Sequence, residues 1–157
     1  MISPEILRRY PFFAFMSPAQ LREVAMISDE MELDTDETLF RMGSPADALY
    51  LLRHGSIELH YVVVDEHLPH LRKDFMVGTI NPGDVLGVSA VINPGELTAT
   101  AVATEPCQVL RMDGERLLAL VLKDPALATG LYYQLAQVVL ERLHATRTLL
   151  AAASSPV

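Results

Sequence analysis

Residues 39–52, Leu39-Phe40-Arg41-Met42-Gly43-Ser44-Pro45-Ala46-Asp47-Ala48-Leu49-Tyr50-Leu51-Leu52, hold two short apolar runs separated by Gly43-Ser44-Pro45. Glycine and proline in close succession punctuate a chain, and runs this short suit strands better than helices. The same texture extends in both directions, from about Met31 to Met112. Apolar runs at 38–40, 49–52, 56–64, 75–80, 98–104 and 108–112 are interrupted by His54-Gly55, Asn81-Pro82-Gly83-Asp84 and Asn93-Pro94-Gly95. Short strands punctuated at this interval predict an antiparallel sandwich or barrel over residues 31–112. The polar, His-containing stretch 65–74 is expected at an exposed hairpin tip.

Both flanks are helical in pattern. Ser3-Pro4 and Ser17-Pro18 each set a hydroxyl cap before a proline at the first helical position. Gln20, three residues after Ser17, completes a capping box. Pro11-Phe12-Phe13 breaks the first helix, and its aromatics are expected to dock both helices onto the rest, while Leu21, Val24 and Ala25 recur at helical spacing. Beyond Met112, Asp113 caps a short helix through Leu117, Leu118 and Leu120. Asp124-Pro125 then starts a longer one running toward Leu150. The fold class is therefore α+β, read as a single domain 1–157: helices over 1–30, β structure over 31–112, helices over 113–150 and a frayed tail over 151–157.

Composition excludes several classes of function. Of 157 residues, 12 are Lys or Arg and 20 are Asp or Glu, a net charge of −8. Phosphate backbones call for a basic footprint, so nucleic acid is not the expected partner. Half of the residues are hydrophobic, enough for a packed core. No run approaches the ~20 apolar residues of a membrane span, and the start Met1-Ile2-Ser3-Pro4-Glu5 lacks a signal-peptide core. A soluble, cytoplasmic protein is expected. The single cysteine, Cys107, has no internal disulfide partner and offers no Cys-based zinc site.

The succession of N-terminal helix, strand-rich middle and long closing helix resembles the cyclic-nucleotide-binding domain of catabolite-activator-like (Crp/Fnr-type) regulators. Residues 39–52 look like the first signature of that family, with Gly55 at the following hairpin turn. Asn81-Pro82-Gly83-Asp84-Val85-Leu86-Gly87 looks like the start of its phosphate-binding cassette, and Thr98-Ala99-Thr100 with Ala103 like the end. The resemblance, from about Leu7 to Leu150, implies an antiparallel jelly-roll barrel and a sensor whose ligand sits beneath the closing helix. It places the candidate ligand pocket at Gly87, Val88, Ser89, Ala90, Leu97, Thr98, Ala99 and Thr100.

The resemblance also implies a Glu after the cassette glycine, bonding the ribose, and an Arg before a Thr/Ser-Ala pair, gripping the cyclic phosphate. An arginine suits that role because its planar fork meets two phosphate oxygens at once. Val88 and Leu97 stand at those places here, with Glu96 adding a like charge beside the phosphate. No shift of alignment supplies the missing cation, because residues 74–110 contain no Lys or Arg. Losing one member of a buried charge pair costs roughly 2–5 kcal/mol, which weakens a micromolar site by roughly one to four decades. Cyclic AMP and cyclic GMP are not expected to bind in the usual mode. Val88, Ala90, Val91, Ile92, Leu97 and Ala99 fill the pocket, make it a site for a different, apolar or neutral ligand, or leave it to a modified mode of nucleotide binding.

The remaining chemistry-bearing residues read as structural. Gly87-Val88-Ser89-Ala90-Val91 lacks the second glycine of a nucleophile elbow, and no acid/base pair or metal cluster stands out, so no enzyme, metal or cofactor is expected. His67 and His70 belong to a solvated loop, and Cys107 packs as a small apolar residue. Within the closing helix, Tyr132, Ala136, Val139, Leu143, Thr146 and Leu150 alternate steps of four and three, while Leu131, Leu135 and Val138 form a second stripe. The first stripe is the candidate output face, for homodimerisation or an unknown protein partner. Its alternative use is packing on the chain's own jelly roll. The sequence runs out at Val157, which fits a standalone sensor-like module with no DNA binding of its own, or the sensor half of a regulator without its helix-turn-helix.

Overall fold

The computed structural model describes residues 1–92 and 94–154. Asn93, the first residue of the expected Asn93-Pro94-Gly95 turn, and residues 155–157 of the expected tail lie outside the described residues. Helix α1 (Pro4–Arg8) is capped by Ser3, whose side chain accepts from the Glu5 N–H. A 3-10 turn over Pro11–Phe13 follows, with Phe12 and Phe13 edge to face at 5.0 Å. Helix α2 (Pro18–Met26) begins with the capping box: the Gln20 N–H donates to Ser17 Oγ, and the Ser17 N–H donates back to Gln20 Oε1.

Strand β1 (Ser28–Leu33) starts inside the stretch read as helical from the sequence. The helix ends at Ile27, and Ser28 turns its hydroxyl back to the Val24 carbonyl at 2.6 Å. Because β1 is an edge strand with mostly its two ends buried, its polar sequence carries no alternating signal. The remaining strands are β2 (Thr38–Phe40), β3 (Ala48–His54), β4 (Ile57–Val64), β5 (Arg72–Ile80), β6 (Val85–Leu86), β7 (Thr100–Ala103) and β8 (Cys107–Asp113), with a short helix α3 (Ser89–Ile92) between β6 and β7.

The strands form two antiparallel four-stranded sheets, ordered β1-β8-β3-β6 and β2-β7-β4-β5. The jelly roll is thus two facing sheets that are not closed by ladder pairing, a correction to the expected barrel. Two further corrections concern length. β5 begins at Arg72, three residues before the run in the sequence, while β4 ends at Val64 as that run does, so the hairpin tip shrinks to residues 65–71. The 98–104 run narrows to Thr100–Ala103, since residues 95–97 pair instead with 43–46.

β3 explains why residues 48–52 are apolar without alternation. Ala48, Tyr50 and Leu52 enter the core between the sheets, while Leu49 and Leu51 enter a second core beneath the helices. Buried on both faces, such a strand has no polar side to show. The second core joins Phe12 and Phe13, Leu21 and Val24 of α2, and two C-terminal helices. Helix α4 (Gly114–Lys123) is capped by Asp113, which accepts the Arg116 N–H, and helix α5 (Pro125–Ser154) by Asp124, which accepts the Leu127 N–H at 3.0 Å. α5 continues past Leu150, so residues 151–154 of the expected frayed tail are helical.

Candidate ligand-binding site

β6 delivers the chain into a turn that only glycine fits. Gly87 has φ +76°, and a Cβ on it would lie 2.8 Å from the Ala48 carbonyl oxygen and 3.0 Å from the Tyr50 ring. Left-handed backbone strains any residue with a Cβ, and here the carbonyl blocks the space as well. Beyond Gly87, α3 makes a single turn, with the Ala90 N–H donating to Gly87 and the Val91 and Ile92 N–H groups to Val88. The chain then returns along residues 43–46. The Leu97 N–H donates to the Ser44 carbonyl, and the Leu97 carbonyl accepts from the Gly43 N–H, both at 2.8 Å.

Between this segment, the inner end of β5 and the side of α5 lies a cleft of about 560 Å³. Of the eight expected ligand residues, Gly87, Val88, Ser89, Leu97, Thr98 and Ala99 line it; Ala90 and Thr100 do not. Ala90 is buried in the body of the protein, and Thr100 spends its hydroxyl accepting the Met42 N–H at 2.9 Å. Leu97 is buried, whereas Thr98 is exposed at the cleft wall.

Several wall residues were not anticipated. Phe40, Leu59 and Val77 extend the apolar lining, Thr79 and Asp84 add polar edges, and α5 contributes Gln134, Gln137, Val138, Glu141 and Arg142. Arg142 is the cleft's only cationic side chain among the described residues. It is half-buried, and burial holds its guanidinium below the ordinary arginine value, against the opposing pull of Asp84 and Glu141. Among the described residues it makes no ion pair and no side-chain hydrogen bond. A sequence signal for it existed. The stripe of buried Leu131 and Leu135 and half-buried Val138 reaches position 142 at the next step of four.

The expected output stripe divides by location. Tyr132 donates its hydroxyl to the Val91 carbonyl of α3 at 3.4 Å, and Val139 and Thr146 line the cleft. Ala136, Leu143 and Leu150 are exposed, joined on the surface by Tyr133 and Leu140. Buried Leu127, Leu131 and Leu135 hold α5 to the body.

The family model for the cyclic nucleotide-binding domain matches residues 30–124, more than half of the chain. The chain belongs to that family. A solved protein of Geobacter metallireducens GS-15 described as cyclic nucleotide-binding is similar over 92% of this chain and 100% of its own, at 38% identity and a TM-score of 0.79. The CRP-like cAMP-activated global transcriptional regulator of Mycobacterium tuberculosis is 24% identical over 147 residues, 94% of this chain and 61% of the regulator. A Rhodopseudomonas palustris protein described as a potassium channel is 25% identical over 128 residues, 82% of this chain and 29% of the channel. The chain thus spans under two thirds of these two curated relatives.

Val88 and Leu97, at the positions where the resemblance leads one to expect a Glu and an Arg, both line the cleft. The other chemistry is quiet. Cys107 is buried, its Sγ donating to the Ser56 and Glu105 carbonyls, and burial above all pushes its thiol pKa up. A thiol so placed is a poor nucleophile. Asp65 caps the hairpin tip by accepting the His67 and Leu68 N–H groups. Among the described residues no helix is long and apolar enough to cross a membrane.

Proposed function

We propose that this chain is a non-enzymatic regulatory module whose cassette does not hold cyclic AMP or cyclic GMP in the manner of its family. One observation carries the reading: at the expected arginine position stands Leu97, its side chain buried and both backbone groups bonded to residues 43 and 44. A leucine supplies no charge for a phosphate, and with the backbone tied at both ends a neighbouring residue cannot rotate into its place. The ribose-binding position is likewise apolar, at Val88. Thermal melting tests this directly, since a ligand that binds the native state raises Tm. Cyclic AMP or cyclic GMP at 100 times a micromolar Kd would stabilise by about 2.7 kcal/mol; the expected result is no shift, and a shift of that size refutes the reading.

Output is proposed to pass through α5 by self-association. Leu140, Leu143 and Leu150 are 62%, 44% and 65% exposed along α5, a run of apolar side chains that a second copy of the helix would cover. The same helix walls the cleft through Val138 and Arg142, so occupancy of one bears on the other. Light scattering at tens of micromolar is expected to report a dimer, and a strict monomer contradicts the assignment. A second reading, a sensor of a different ligand, is favoured by the open volume of the cleft.

A further inference from the structure

The structure assigns the cleft to a monoanionic amphiphile, a compact carboxylate on an apolar body, with Arg142 of α5 as its anion clamp. The inference rests on the preceding reading that cyclic nucleotides are not held by the cassette, and names what the cleft takes instead. Three observations carry it. First, the cleft of about 560 Å³ falls within the size range of small-molecule sites, and Phe40, Leu59, Val77 and Leu97 give it an apolar floor. Second, Arg142 brings a fixed positive charge to that wall half-desolvated and without an ion pair or side-chain hydrogen bond among the described residues. A half-desolvated cation with no close partner carries an unrelieved cost, and a ligand carboxylate meeting the guanidinium fork relieves it.

Third, the neighbouring acids set the ligand's charge. Asp84 and Glu141 are the carboxylates acting on Arg142. Glu141 is exposed and screened by water, and Asp84 has one oxygen, Oδ2, engaged by the Asn81 N–H at 2.8 Å. Neither neutralises Arg142 in a close pair, yet the half-buried Asp84 on the cleft wall repels a second negative charge. A single carboxylate is therefore favoured over a phosphate monoester or a dicarboxylate. The apolar floor, lacking the Glu that would meet a ribose, favours an alkyl or aryl body over a nucleoside.

Isothermal titration of the full chain with sodium decanoate, decanol, decanedioate and cyclic AMP tests the assignment, alongside the variants R142Q and R142K. Decanoate is expected to bind with a sub-millimolar Kd, and decanol and decanedioate at least about tenfold more weakly. R142Q is expected to lose at least about tenfold for decanoate with decanol unchanged, while R142K, which keeps the charge but loses the fork, falls between. Circular dichroism verifies that both variants fold. Equal decanoate binding by wild type and R142Q overturns the clamp, and so does equal binding of decanoate and decanol. No decanoate binding, with cyclic AMP also silent, overturns this inference and leaves the proposed function standing. Cyclic AMP bound at micromolar Kd and lost in R142Q overturns both.

Discussion

Gly87 shows how much of the site is decided by single residues. Its positive φ and the Ala48 carbonyl 2.8 Å from where a Cβ would stand act together, so relief of one leaves the other. Gly87→Ala is expected to destabilise the protein by about 1–3 kcal/mol, measured by urea denaturation; an unchanged midpoint contradicts the geometry. Cys107 is the opposite case, a reactive residue type silenced by its surroundings. Because burial raises its folded pKa, its contribution is fully present below the unfolded thiol value and declines as pH rises through the folded one. Any stability loss from this group begins above about pH 8.5, the unfolded thiol value. Native protein at pH 7.5 is expected to react with a thiol reagent far more slowly than protein in urea. Equal rates would show an accessible thiolate.

At the scale of elements, the closing helix carries most of the information. Leu127, Leu131 and Leu135 are at most 1% exposed, so Leu131→Ala leaves a void and is expected to cost about 2–5 kcal/mol by denaturant unfolding. A cost below about 1 kcal/mol would show that α5 is not docked as described. Gly130 looks like a flaw in that helix, since alanine is the better helix former by about 1 kcal/mol. Yet an added Cβ would lie 2.1 Å from the edge of the Phe15 ring. Gly130→Ala is therefore expected to lower Tm despite its gain in propensity, and a raised Tm would show that Phe15 moves aside freely. The element boundaries that sequence reading placed well are those with local causes: the Ser17–Gln20 box, the Asp113 and Asp124 caps, the glycine turns. Those it missed have distant causes. β6 is two residues long and exists because Val85 and Leu86 pair with Leu51 and Tyr50 across the sheet. β1 is read as polar because only one edge of it is covered.

For the molecule as a whole, the two-sided burial of β3 and the sheet order around it place the cassette and α5 on opposite walls of one cleft. The cassette wall was legible in the sequence because a glycine, two turns and a Thr-Ala pair are contiguous there. The α5 wall was not, since which face of a 30-residue helix meets the sheet is settled by packing. Arg142 lies more than thirty positions beyond the segment in which a cation was sought, yet it faces the same space. Its presence makes one measurement decisive. Isothermal titration of the full chain with cyclic AMP is predicted to give no saturable heat up to millimolar ligand. A micromolar, one-to-one isotherm would show that an inherited nucleotide site persists without its cassette arginine.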